Sequence, residues 1–232
     1  MVLAIMQPYF LPYIGYFQLL KAVDKFVLYD DVNFISRGYI NRNNLLVNGQ
    51  ASLFTIPLKD ASQNKLIYEV GLSDDSSWQK KLTRTVEQSY KKAPQFDTVF
   101  PLFLDIVAYT PQNIGDFCYY SLTRISRYLG IDTQLIPSST IYRNGQLKRE
   151  ERILDICRLE NATHYINPQG GIALYDKDNF AKQNVQLSFL KAGLVPYPQY
   201  RDPFVPGLSI LDVLMFNDIG KTNELLNQYE LV

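Results

Sequence analysis

Four blocks of this chain carry residue types that do chemistry, and three of them lie where a short apolar run ends. The first is Gln7-Pro8-Tyr9-Phe10-Leu11-Pro12-Tyr13-Ile14-Gly15-Tyr16. It leads into a helix start, where free backbone N–H groups favour an anion. Pro8 and Pro12 fix the loop shape. Gln7, Tyr9, Tyr13, Gly15 and Tyr16 are the candidate ligand contacts, and a plain aromatic plug over the sheet edge is the competing reading. The second block is Tyr29-Asp30-Asp31-Val32-Asn33. Paired carboxylates can take a proton from an amine, bind a sugar hydroxyl or hold a metal. Asp30 and Asp31 are therefore general-base candidates, set against a turn in which Asp caps backbone amides.

The third block is Ser36-Arg37-Gly38-Tyr39-Ile40-Asn41-Arg42-Asn43. A guanidinium binds oxyanions in bidentate fashion, so Arg37 and Arg42, with Asn41 between them, suit a diphosphate or carboxylate. The fourth is His164-Tyr165-Ile166-Asn167-Pro168-Gln169-Gly170-Gly171. Its glycine-rich end can cradle a ligand with backbone amides. Asn167, Gln169, Gly170 and Gly171 are candidates, with Tyr175 close behind. His164 has an ordinary pKa near neutrality and is a third general-base candidate, or else a satisfied strand histidine. A fifth stretch, Arg143 to Arg149, is basic but reads better as a solvated loop and helix face.

These blocks must be positioned by secondary structure, and the hydrophobic pattern says how. Val2–Met6 and Lys25–Tyr29 read as buried strands around a helix from Tyr13 or Ile14 to about Val23. Strand, loop, helix, strand in this span is a βαβ unit, so the two strands should be parallel. Residues 33–50 read as irregular, and 51–57 and 66–72 as an antiparallel pair. Helices follow over 78–91, 94–108 and 111–129. Strands at 133–136, 163–166 and 186–190 alternate with helices at 148–159 and 177–183. Two helices, 209–216 and 219–229, close the chain. The expectation is one α/β domain over 1–232: a three-layer-like, Rossmann-like core with a mainly parallel sheet and a helical insertion at 73–128.

Composition narrows the function. The 232 residues hold 23 Lys and Arg against 23 Asp and Glu, and this balance argues against a non-specific nucleic-acid binder. Two cysteines, Cys118 and Cys157, lie outside any C-x-x-C and read as buried thiols. No metal set is assigned and no pattern names a cofactor. One histidine excludes any mechanism that needs two. No basic segment precedes the apolar residues 2–6, and the run from Tyr9 to Val23 is broken by Pro12 and Gly15 and too short for a bilayer. A soluble, cytoplasmic protein is expected. Seventeen tyrosines suit a wet cleft or interface, although a tyrosine-rich core and surface would use them equally well.

The first block, with Tyr13-Ile14-Gly15-Tyr16 at a helix start after a strand, resembles the H-x-G-H nucleotidyltransferases such as pantothenate synthetase. Tyrosines stand where that motif has histidines. Taken together, Gln7–Phe17, Tyr29–Val32, Arg37–Asn43 and Leu208-Ser209-Ile210-Leu211-Asp212 resemble the WbqC-like family. That resemblance implies a place in bacterial surface-polysaccharide (O-antigen) synthesis. It implies transfer of an acyl or aminoacyl group to the amine of a nucleotide-linked amino sugar. The partners would then be small molecules, the nucleotide sugar and an acyl donor, free or carrier-protein-bound. No covalent nucleophile is evident, so the amine would attack the activated donor directly. ATP-dependent nucleotidyl or adenylyl transfer and non-catalytic sugar-nucleotide binding are the alternatives.

Overall fold

The computed structural model describes residues 1–232. Its centre is a six-stranded sheet built from β1 (Val2–Met6), β2 (Lys25–Leu28), β7 (Gln134–Ile136), β8 (His164–Pro168), β9 (Gln186–Ala192) and β10 (Tyr229–Leu231). The spatial order is β10-β9-β8-β1-β2-β7, and only β10 runs antiparallel. β1 and β2 pair in parallel, Leu3 opposite Lys25 to Met6 opposite Leu28, as the βαβ reading requires. The parallel strands are near-continuous apolar runs because both sheet faces are covered. Leu3, Ile5 and Val27 face α5 (Arg149–Leu159) and α6 (Lys177–Lys182) through Ile153, Ile156 and Phe180. Ala4, Phe26 and Leu28 face the opposite cluster with α1 (Ile14–Lys21), α7 (Ile210–Phe216) and α8 (Ile219–Leu226). The protein is therefore α/β with a mainly parallel central sheet.

Between β2 and β7 lie a hairpin, two short strands and three helices. The hairpin joins β3 (Arg42–Val47) to β4 (Gln50–Thr55). This corrects the expected pairing of 51–57 with 66–72 and the irregular reading of 33–50. Asn48 and Gly49 both have positive φ, which makes a two-residue turn whose twist matches the strands. The later segment forms a 3-10 turn over Ile67–Glu69 and the short β6 (Gly71–Leu72), which pairs with β5 (Leu58–Lys59). The helices are α2 (Ser77–Tyr90), α3 (Phe96–Ala108) and α4 (Ile114–Leu129). At the other end, the expected final helix stops at Leu226 and β10 follows it. No helix is long and apolar enough to cross a membrane.

Candidate functional site

The sheet order reverses direction between β1 and β8. From β1 the chain builds outward through β2 to β7, and from β8 outward through β9 on the other side. Loops leaving neighbouring strands on opposite faces open a crevice at their carboxyl ends. A cavity of about 510 Å³ occupies that place, and a second of about 340 Å³ adjoins it. Tyr9 and Tyr13 line both, so the two form one cleft with two lobes.

The loop from Gln7 to Pro12 forms the shared wall and is held from three sides. Leu11 sits in the left-handed region at φ 44°, where a side chain is strained. Its carbonyl accepts bonds from Asn43 Nδ2 and Ser209 Oγ, both at 2.8 Å. The next carbonyl, Pro12, accepts the Ile210 amide at 2.7 Å, and Phe10 donates to Ile40 at 3.0 Å. Tyr16 Oη donates to the Gln7 carbonyl at 2.9 Å. A β carbon on Gly15 would lie 2.4–2.6 Å from three atoms of the Tyr13 side chain, so the Tyr13 ring lies across the first turn of α1.

The opposite wall is the turn after β8. Asn167 is buried and donates to Tyr165 Oη at 2.7 Å. Its Oδ1 would stand 2.1 Å from a β carbon on Gly171, so only glycine fits there. Gly170 and Tyr175 complete this wall, and Tyr29, at the end of β2, lies beside them. Burial raises the hydroxyl pKa of Tyr9, Tyr13, Tyr16 and Tyr175. Burial raises Tyr29 too, against an opposing pull from the Arg152 guanidinium. Neither lobe is lined by any Asp, Glu, Lys, Arg or His.

The structure thus brings together Gln7, Tyr9, Tyr13, Gly15, Tyr16, Asn167, Gly170, Gly171 and Tyr175. It places the other candidates elsewhere. Asp30 is turned toward the segment after β7, accepting Ser138 Oγ at 2.7 Å and the Ser139 amide at 3.0 Å. Burial raises its pKa, and those two bonds work against the rise. Asp31 accepts from Ser139 and pairs with Arg152, which is itself buried, stacked over the Tyr29 ring at 4.9 Å and bonded to Asn144. Neither carboxylate lines the cleft. His164 begins β8, so the carboxyl end of that strand lies about 13 Å away at ~3.3 Å per residue. It bonds Ser188 at 2.9 Å, and burial followed by the nearby N-terminal amino group lowers its pKa. Asn41 binds the Ile56 carbonyl, and Arg42 binds the carbonyls of Arg37 and Gly38. Arg42 therefore braces the rim loop that carries Tyr39 into the smaller lobe. Arg37 is exposed on that loop and makes no ion pair, and Gln169 is exposed beside the glycine turn.

Sequence reasoning did not assign Tyr29, Tyr39 or Asn43 a ligand role, although each stands inside a block already singled out. Leu194 and Gly207 of the smaller lobe come from residues 193–209, where no local signal marks them.

The loop of residues 7–13, its Asn43 and Ser209 braces and the Asp30–Asp31 turn are the blocks that carried the family resemblance. The sequence profile of the WbqC-like protein family matches residues 7–224. The chain belongs to the WbqC-like family. A relative in Mycobacterium tuberculosis (strain ATCC 25618 / H37Rv), Uncharacterized protein Rv1507c, is 29% identical over 219 residues, covering 92% of each chain. No solved structure matches.

A larger cavity of this WbqC-like chain, about 590 Å³, lies at the amino ends of β8 and β9. Burial pushes its Cys157 thiol up to about 12, and its Asp155 is held by Asn144 and Arg158. Of the sequence blocks, the basic stretch Arg143 to Arg149 reaches it through Leu147, and the other four do not. Cys118 is buried, and that burial raises its thiol well above the ordinary value. No group of three or more His, Cys, Asp or Glu is placed to hold a metal ion.

Proposed function

We propose that this WbqC-like protein transfers an acyl or aminoacyl group to the amine of a nucleotide-linked amino sugar, as a cytoplasmic step in making a bacterial surface polysaccharide. The observation that carries this reading is the pair of lobes sharing Tyr9 and Tyr13, because a transferase must hold two ligands side by side. Both volumes suit small molecules. The larger lobe offers Gln7, Asn167 and tyrosine hydroxyls, which fit the sugar. The smaller opens past the exposed Leu194 and Tyr39, which fit the apolar donor.

The uncharged lining replaces a general base. An ammonium buried without a carboxylate loses solvation and gives up its proton more readily. The neutral amine then attacks the carbonyl carbon of a thioester donor. The C–N bond forms, the C–S bond breaks, and the amine proton leaves with the sulfur as free thiol. Asp30 and Asp31 have supporting roles in this scheme, since they anchor the turn that carries Tyr29. Phosphates of the sugar nucleotide stay outside the lobes, which no cation lines. Nucleotidyl transfer fits less well, because no cation lines either lobe to take the phosphates of a nucleoside triphosphate.

The test is incubation with UDP- and dTDP-linked amino sugars and an acyl thioester, read by mass spectrometry, with calorimetry for each ligand alone. An amide product, and weaker binding of both ligands in Tyr9→Ala, is the expected result. Absence of product, together with no amino-sugar-nucleotide binding that Tyr9→Ala weakens, would overturn the proposal.

A further inference from the structure

The charge missing from the cleft is found elsewhere on the molecule. A cavity of about 390 Å³ lies where the end of α2, the β3–β4 turn and residues 200–201 meet. Lys91, Lys92 and Arg201 line it, and no Asp or Glu does. All three are exposed, and none belongs to any of the seven ion pairs in the protein. Three unneutralised cations from two distant parts of a chain with zero net charge repel one another in the empty site. A polyanion would relieve that repulsion. Lys80, Lys81 and Arg84 extend the positive field along the exposed side of α2, where Glu87 is the sole acid, so an anion is also drawn toward the cavity.

The cavity holds more than charge. Tyr200 is 41% exposed and packs edge-on against Phe216, with centroids 4.8 Å apart. That neighbour fixes its ring and leaves part of it free to stack. Asn48 and Gln88 add amides suited to the edge of a base or a ribose. Phosphate-binding cations beside a fixed aromatic ring are the two elements that recognise a nucleotide.

We propose that this cavity is a nucleoside-diphosphate site, with phosphates on Lys91, Lys92 and Arg201 and the base on Tyr200. It is separate from the cleft and does not depend on the acyl-transfer reading. The two regions are joined by residues 193–209, which give Arg201 and Tyr200 to this cavity and Leu194 and Gly207 to the smaller lobe. A nucleotide bound here is therefore placed to stiffen one wall of the cleft.

Calorimetry with UDP, uridine, inorganic pyrophosphate and phosphatidylglycerol vesicles tests this on the intact protein. Because all three cations are exposed, the triple variant Lys91→Gln/Lys92→Gln/Arg201→Gln should keep the wild-type melting temperature. UDP should bind the wild type with an affinity that falls steeply with salt. Its Kd should rise at least tenfold in the triple variant and stay unchanged in the cleft variant Tyr9→Ala. Pyrophosphate should bind at least tenfold more weakly than UDP, and uridine and vesicles not at all. UDP binding that survives the triple substitution, or no UDP binding to the wild type, would overturn the proposal. Vesicle binding in place of UDP binding would reassign the surface to a membrane. Equal affinity for pyrophosphate and UDP would remove Tyr200 from the site.

Discussion

Asp212 is a carboxylate without a cation, and its replacement tests whether it holds the outer wall of the cleft. It is fully buried, with Oδ1 accepting Tyr90 Oη at 2.9 Å and Oδ2 accepting Tyr197 Oη at 2.6 Å and Gln199 Nε2 at 2.8 Å. Gln199 also exchanges bonds with Val205, so the network pins the middle of residues 193–209. A hydrogen bond to a charged acceptor contributes about 1.5–3 kcal/mol. Removing the carboxylate leaves the Tyr90 and Tyr197 hydroxyls and the Gln199 amide without their acceptor, at about 1–3 kcal/mol for each buried group left unsatisfied, so Asp212→Ala should cost about 3–5 kcal/mol. For a chain this size that is roughly 6–20 °C in Tm. The pH dependence has a definite sign. Burial raises the Asp212 pKa, with the bonds from Tyr197, Gln199 and Tyr90 opposing it. The folded state therefore holds the proton more tightly than the unfolded chain, and wild-type stability is lost as pH rises through the raised value. Relative to the non-titrating Asp212→Asn, the wild type should gain stability on acidification, with the gain complete below the ordinary carboxylate range. Urea unfolding at several pH values measures both effects, and amide exchange over 193–209 should quicken in Asp212→Ala. A loss below about 1 kcal/mol, or a wild type that weakens against Asp212→Asn on acidification, would refute the reasoning.

Other substitutions separate the cleft from its supports. Gly171→Ala drives a methyl into Asn167 Oδ1 and should weaken ligand binding at least tenfold, whereas Gly15→Ala must displace the half-buried Tyr13 ring from the shared wall and should change binding in both lobes. Arg152→Met leaves the Asp31 carboxylate buried without its cation and should cost about 3–5 kcal/mol in urea unfolding. His164→Ala should leave binding and turnover in the cleft unchanged, because the residue starts the strand whose far end forms the site. Cys118 and Cys157 should resist a thiol reagent at pH 8 in the folded protein and both react after unfolding, since burial raises both thiols.

The difference between what the chain disclosed and what it withheld has a physical origin. β1, α1 and β2 were legible because each buries its own apolar pattern against a near neighbour, and the parallel pairing followed from handedness alone. The turn at Asn48-Gly49 carried an equally local signal, which a polar reading of 33–50 passed over. That residues of the two strand-end loops would line one cavity was legible for the same reason, since loops at the carboxyl ends of neighbouring parallel strands open a crevice there. The roles of Asp30 and Asp31 were not. A carboxylate at a strand end looks the same whether it meets a substrate or a partner more than 100 residues away, and here Ser139 and Arg152 are those partners. Arg42 shows the same ambiguity on a short scale, because its guanidinium closes on carbonyls four and five residues back instead of on an oxyanion. Asp30, Asp31 and Arg42 thus meet partners within the fold, while neutral tyrosines line the cleft. Local chemistry identifies which loops matter, and only long-range pairing decides which side chains those loops leave free.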